Sequence, residues 1–593
     1  MSGERVLSGT TLAEFVATIA DGRRDDVALR HKQDGAWPEL TYGELDDRIR
    51  GIARGLMALG LEPGDRVSIL AETRPEWTTT SLAITLAGLV VVPIYPSNSP
   101  DECAWVLSDA GSRVVIAENA LQAAKVAEVK DRLPHLDTVV VIDADASGVD
   151  ADMTLADVVS RGDATSPEAL EQRSAATGPD DDYTIIYTSG TTGPPKGCVL
   201  SQGNYRSMLG IVREADLIQS EDVVYLFLPL AHAMALLIQL SALDRGVTVA
   251  YFGGDTTQII PELSEVRPTM LPSVPRIFEK IYGMVTSAVD AETLKKAIEV
   301  GGRVEDLRLA GSPIPADLQA AYDQFDATLF SNVRNAFGGR VRRAVSGAAP
   351  IAPEVLEFFW AAGVPVLEGF GMTETSTAAT LSTPEHHRFG SVGRALPRVD
   401  LRIAEDGELL VRGPNVFQRY HDNPEATTAT LVDGWLHTGD LGRIDEDGYL
   451  YIIGRKKDII ITAGGKNIAP ANLENDLKRS PWVSQAVMYG DRRPYPVVLV
   501  TLDPERVAAW AAETGRSDSS PDALRTDPAI RDAVQRAIDE ANTSYARVEQ
   551  VKRFAILDRD LTQEHGELTP TSKVKRNVVY EKFADVLDGL YAG

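Results

Sequence analysis

Tyr187-Thr188-Ser189-Gly190-Thr191-Thr192-Gly193-Pro194-Pro195-Lys196-Gly197 decides how this 593-residue chain is read. A β-rich run over 183–187 enters it, and a helical pattern begins near Ser201. Glycines at 190, 193 and 197 permit positive φ and let backbone N–H groups come close to an anion. Ser189, Thr191 and Thr192 add hydroxyl donors, and Lys196 adds a full charge. Together they predict a cradle for a polyphosphate. It is not a Walker A loop, because Gly197 follows the lysine where that loop has Ser or Thr. A flexible hairpin turn is the bland alternative, but seven of the eleven positions are Gly, Ser or Thr and a lysine closes the stretch.

Upstream, short β-rich runs alternate with helical patterns: strand 65–70, helix 76–87, strand 90–95, helix 100–110 with Pro100 in its first turn, and strand 113–117. Such alternation predicts βαβ units on a largely parallel sheet. Over 392–451 the rhythm changes to short strands with polar turns, EDGE from Glu405 and DEDG from Asp445, which predicts a barrel-like antiparallel region. After Gly454 come a helix from Pro470, strands over 483–489 and 497–502, two helices and a strand over 551–557. The expected fold class is α/β. A large N-terminal domain of βαβ layers with a small β-barrel-like subdomain covers 1–456, and a smaller, mobile α+β domain covers 457–593.

Lys plus Arg number 59 and Asp plus Glu 86, a net charge of −27. So acidic a chain predicts no nucleic-acid partner and at most peripheral membrane contact. Anionic ligands must then be met by local knots of positive charge. Cys103 and Cys198, the two cysteines, are too few for a disulfide framework or a cysteine metal cage, as in a reduced compartment. The apolar stretch VVYLFLPLAHAMALLIQLSAL at 223–243 is interrupted by Pro229, His232 and Gln239, and lacks the basic flanks of a spanning helix. It predicts a buried strand, a turn at Pro229 and a buried helix. The start, MSGERVLSGTTLAEF, predicts no signal peptide, and the closing Tyr591-Ala592-Gly593 matches no peroxisomal or lipidation signal. A cytoplasmic location is expected, and the sequence allows a homodimer without specifying one.

Six further motifs follow the glycine loop in order: LPLAH (228–232), SGAAP (346–350), EGFGMTETS (368–376), GWLHTGDLG (434–442), GRKKDIIITAGGKNIAP (454–470) and LTPTSKVKR (568–576). Together they resemble the signatures of the acyl-adenylate-forming enzymes, the superfamily of acyl-CoA synthetases, peptide-synthetase adenylation domains and beetle luciferases. The resemblance implies that a carboxylate attacks the α-phosphorus of ATP, giving an acyl-adenylate and pyrophosphate, and that AMP leaves when a second nucleophile arrives. Catalysis of the first step is mostly charge neutralisation and in-line positioning.

The same resemblance assigns the parts. Thr188, Ser189, Gly190, Thr191, Thr192, Gly193 and Lys196 hold the β- and γ-phosphates. Glu374 ligates Mg²⁺, with Thr191 beside it, and the Thr373 hydroxyl reaches the α-phosphate. Gly347, Ala348 and Ala349 form the edge against which adenine lies, and Glu368, Gly369 and Gly371 belong to the nucleotide site. Phe370 stacks on adenine where the family commonly has tyrosine, keeping the π-face and losing a hydroxyl. Asp440 accepts both ribose hydroxyls, and Arg455 adds a donor nearby. Lys573 bridges the incoming carboxylate and the α-phosphate; the plain alternative, a solvated basic face with Lys575 and Arg576, is the usual fate of such a cluster.

The resemblance further implies that the C-terminal domain swings about Lys457, removing Lys573 and bringing Gly464, Gly465 and Lys466 up to CoA. His232 matches an aromatic position between acyl pocket and thiol tunnel. DGWLHTGDLGRIDEDGYLYIIGRKK (433–457), SVPRIFEKIY (273–282) and GELTPTSKVKRN look closest to long-chain fatty acyl-CoA synthetases, as does the helical stretch 279–340. Gln418-Arg419-Tyr420 departs from the pattern, where many members carry glycine and aromatics. The expected activity is ATP- and Mg²⁺-dependent ligation of a medium- to long-chain fatty acid to CoA. The alternatives are delivery of the acyl group to a carrier-protein phosphopantetheine or an amine, and a nucleotide-binding scaffold or sensor without chemistry.

Overall fold

The computed structural model describes residues 9–143, 151–188, 194–286, 289–516, 518 and 520–592. Val90–Ile94 pairs in parallel with Arg66–Leu70, which pairs in parallel with Val114–Ala117, and that strand with Thr138–Val141. Val90–Ile94 and Val114–Ala117 are buried throughout, as in a parallel sheet covered on both faces. Helices Pro75–Leu86 and Pro100–Asp109 start on proline, and Ser99 and Glu102 cap the second reciprocally. The elements between 66 and 117 each lie within one residue of their expected limits; strand Thr138–Val141 has no counterpart in the sequence reading.

A second sheet aligns Thr248–Tyr251, Val223–Leu226, Met270–Ser273, Arg343–Ser346 and Val366–Phe370 in parallel. The apolar stretch at 223–243 divides as expected into strand Val223–Leu226 and helix Ala233–Arg245. Among the described residues no helix is long and apolar enough to cross a membrane.

The glycine loop departs from the expected strand-to-helix passage. Asp182–Thr188 turns back on Lys196–Ser201 as an antiparallel pair with Thr188 opposite Lys196, and only then does helix Gln202–Glu214 start, capped by Ser201. Gly197 to Ser201 are buried. The short apolar run Cys198-Val199-Leu200 gains more by joining the sheet than as a linker.

The region expected to be barrel-like is a five-stranded antiparallel sheet, which no pairing among the described residues closes. Its hub, Trp435–Ile444, pairs with Glu408–Arg412, Leu431–Val432 and Leu450–Arg455. Beyond it, Val483–Tyr489, Val497–Leu502 and Arg553–Ile556 form a three-stranded sheet with helices Pro470–Lys478, Pro504–Glu513 and Pro528–Asn542. Two apolar cores here draw their buried residues only from Ile460 onward.

This part docks on the preceding one through Arg276–Asp503 at 2.8 Å, Lys280–Glu505 at 3.0 Å and Arg479–Glu354 at 3.5 Å. The Gln563 amide also donates to the Ser97 carbonyl at 3.1 Å. Exposed ion pairs are each worth about 0–1 kcal/mol, so these pairs by themselves hold the two parts together only weakly.

Candidate active site

The site grows from strand ends. On the hub strand, Asp440 lies directly opposite Arg455, which donates to its two oxygens at 2.9 and 3.4 Å. Asp440 is 4% exposed; burial raises its pKa, and Arg455 and then Lys573 oppose the shift. Its turn is fixed from behind. The Gly439 N–H donates to Glu408 at 2.8 Å, the Asp440 N–H to Thr438 Oγ1 at 3.1 Å, and Thr438 Oγ1 to the Leu409 carbonyl at 2.7 Å.

Past the end of Val366–Phe370, the chain turns so tightly that a Cβ on Gly371 would lie 1.8 Å from the Thr377 carbonyl oxygen. That closeness demands glycine. The turn delivers the short 3₁₀ segment Thr373–Thr375, with Glu374 buried. Glu374 is therefore withdrawn from solvent and not an exposed glutamate at a helix start. Its Oε1 accepts from Tyr420 at 2.7 Å. No cluster of three or more His, Cys, Asp or Glu suited to a metal exists among the described residues. One hard carboxylate fits Mg²⁺ that arrives on phosphates, and does not fit a resident all-protein metal site.

Lys573 comes from the far part of the chain. A tight turn holds it: the Lys573 N–H donates to Thr569 Oγ1 at 3.0 Å, the Thr569 N–H donates to the Lys573 carbonyl at 2.8 Å, and Ser572 sits at φ 59°. Arg576 is no solvated cation. It forms a two-fold hydrogen-bonded pair with Glu474, 2.6 Å on each arm, a buried pairing that tethers the turn. Desolvation lowers the Lys573 pKa, helped by Arg455 and opposed by Asp440 and Glu374. Lys573 lines the same cavity as Asp440, Arg455 and Glu374, the groups expected at the ribose and the metal.

His232 caps helix Ala233–Arg245, its Nδ1 accepting from the Met234 N–H at 3.2 Å. Burial first, and Lys573 second, push the imidazole down to about 4, so the ring is neutral near pH 7. Burial pushes the Glu368 carboxyl up to about 8, and one of its oxygens has no hydrogen-bond partner.

One cavity of about 1820 Å³ gathers Thr188, Lys196, His232, Gly347, Ala348, Ala349, Glu368, Gly369, Phe370, Gly371, Thr373, Glu374, Asp440, Arg455, Lys457 and Lys573. Its described lining holds nine basic and nine acidic side chains, a neutral enclave on a chain of charge −27 that does not repel a polyanion. Met208 and Val212 of helix Gln202–Glu214, Met234, Leu237 and Ile238 of helix Ala233–Arg245, and Leu217 give the lining an apolar side, the candidate acyl branch. Ser189, Gly190, Thr191, Thr192 and Gly193 lie outside the described residues. Gly464, Gly465 and Lys466 do not line the cavity; Lys466 pairs with Glu549 at 3.0 Å, and the loop joins Ile460–Ile461 to Asn467–Ile468. Lys457 sits in the 3₁₀ segment Lys456–Asp458, directly after strand Leu450–Arg455. Glu408, which holds the turn before Asp440, and Tyr420, which holds Glu374, are residues to which the sequence reading assigns no role in the site.

The AMP-binding enzyme family matches residues 16–421, and the AMP-binding enzyme C-terminal domain matches 457–593. The long-chain-fatty-acid–CoA ligase FadD15 of Mycobacterium tuberculosis is 40% identical over 586 residues, covering 97% of this chain and 96% of that protein. The long-chain-fatty-acid–CoA ligase ACSBG1 of Homo sapiens is 31% identical, over 96% of this chain and 83% of its own length. Among solved structures, the A domain of carboxylic acid reductase from Segniliparus rugosus, in complex with AMP and a co-purified carboxylic acid, superposes with a TM-score of 0.76. It is 22% identical, over 99% of this chain and 94% of that one. The anthranilate CoA ligase AuaEII in complex with anthranoyl-AMP gives 0.73 at 19% identity, over 96% and 97%.

Proposed function

The chain belongs to the AMP-binding enzyme family, and from that premise we propose that Lys573, Glu374, Asp440 and Arg455 serve its adenylating step in the arrangement described above. The enzyme activates a fatty acid to acyl-CoA by AMP-forming chemistry. One observation carries the assignment: the Lys573 turn, tethered inside the C-terminal part, projects into the cavity that holds the Asp440–Arg455 pair and Glu374. The carboxylate of the acid approaches the α-phosphorus with Lys573 neutralising the charge that builds between them, and pyrophosphate leaves along the glycine loop. Mg²⁺, when bound, neutralises phosphate charge; Glu374 holds it. Asp440 and Arg455 fix the ribose, and Thr373 faces the α-phosphate. The domain boundary falls at 456/457, with Lys457 the pivot. The few surface ion pairs between the parts support a swing that withdraws Lys573 and admits CoA at Gly464, Gly465 and Lys466. The relatives' long-chain substrates support a long acyl chain in the apolar branch. Pyrophosphate release across a panel of carboxylic acids, with and without CoA, tests the reading. Release only with acids lacking an alkyl chain, or no thioester when CoA is added, contradicts it.

Two further results are expected. Because each buried methylene contributes about 0.8 kcal/mol, Leu237→Trp, which fills the branch, lowers kcat/KM for long acids far more than for short ones. A uniform loss across chain lengths would place Leu237 outside the acyl path. Lys573 is charged only below its lowered pKa, so kcat/KM for adenylation falls as pH rises through a value under lysine's ordinary 10.5. Lys573→Arg, charged at every accessible pH, loses that limb. An alkaline limb that persists in the variant belongs to another group.

A further inference from the structure

Gln418-Arg419-Tyr420, the departure from the family pattern, reaches both sides of the phosphate site. Arg419–Tyr420 is a short edge strand on the glycine-loop hairpin, with Arg419 opposite Val199 and Tyr420 opposite Cys198. Arg419 ties it to the hairpin's other strand through Asp182 at 2.7 Å, and the His421 N–H donates to the Gly197 carbonyl at 2.7 Å. The same segment grips Glu374 at two points. The Phe417 N–H donates to its main-chain carbonyl at 2.8 Å, and the buried Tyr420 hydroxyl donates to Oε1 at 2.7 Å. The Lys196 ammonium lies 5.2 Å from the centre of the Tyr420 ring.

We propose that Tyr420 is a positioning residue for Glu374, locking one carboxylate oxygen so that the other is presented to Mg²⁺; this rests on the reading of Glu374 as the metal-holding group. A carboxylate held through a single neutral donor keeps its charge while losing rotational freedom. Removing such an outer partner typically costs about 10–100-fold in metal affinity. The ring is a separate function, a surface for Lys196, and it survives loss of the hydroxyl. A buried tyrosine that merely needs an acceptor would stabilise the fold without touching the metal's contribution.

Calorimetry of ATP binding to the full chain, without acid or CoA, separates these. Affinity is measured with Mg²⁺ and again with EDTA, and the ratio is the metal's contribution. Tyr420→Phe is expected to lower that ratio about tenfold while leaving the EDTA affinity intact, and Glu374→Gln to lower it at least as far. If Glu374→Gln lowers the ratio and Tyr420→Phe does not, the positioning role is overturned and the Glu374 reading stands. If Tyr420→Phe weakens binding equally with and without metal, the hydroxyl is structural only and the proposal is overturned. If Glu374→Gln leaves the ratio unchanged, the metal reading fails and the proposal falls with it.

Discussion

Lys573→Ala lowers acid-dependent exchange of pyrophosphate into ATP by about 10²–10³-fold, the scale of losing one preorganised charge donor. The preorganisation is visible: the turn is closed by Thr569 and Ser572, and the Arg576–Glu474 pair ties it to the C-terminal core. The fold should survive the change, because the side chain enters a cavity and the backbone bonds of the turn remain. Thioester formation from supplied acyl-adenylate is expected to be largely spared, on the proposal that the pivot withdraws Lys573 before CoA attacks. A loss below about tenfold in exchange, against the scale above, would discard the role; an equal loss in both half-reactions would discard the swing.

Asp440→Ala is expected to lower kcat/KM for ATP by about 10²-fold or more, since hydrogen bonds to a charged group contribute about 1.5–3 kcal/mol each and two ribose hydroxyls are involved. Breaking a fully buried pair can cost about 3–5 kcal/mol of stability. Here the Arg455 side chain is 42% exposed, so it regains water and the protein folds. The specific signature is lost discrimination: the native enzyme is expected to prefer ATP over 2′-deoxyATP, and the variant to treat them nearly alike. Retained discrimination would place the ribose elsewhere.

Features fixed by neighbours in sequence were legible. The alternation of β-rich and helical runs places the strands and helices between 65 and 117 to within one residue, because proline starts and capping residues act over three or four positions; the elements before them, Leu12–Ala17 to Tyr42–Ala58, have no counterpart in the sequence reading. The strand Lys196–Ser201 was not anticipated, since its apolar run is too short to declare itself without the sheet it joins. The sequence shows nothing of how Arg576 is paired, because its partner Glu474 lies 102 residues away. Glu408 stands 31 residues from Gly439, and Tyr420 46 from Glu374. Groups that bear charge in the expected chemistry announce themselves by motif; the groups that hold them are chosen by folding.

The bond broken in ATP is tested most directly with a long-chain fatty acid carrying ¹⁸O in its carboxylate, turned over with Mg²⁺ and CoA. Attack on the α-phosphorus leaves one labelled oxygen in AMP, beside unlabelled pyrophosphate and an acyl-CoA that keeps the other. Label in inorganic phosphate with ADP as co-product, or AMP free of label, would contradict an acyl-adenylate made in this cavity.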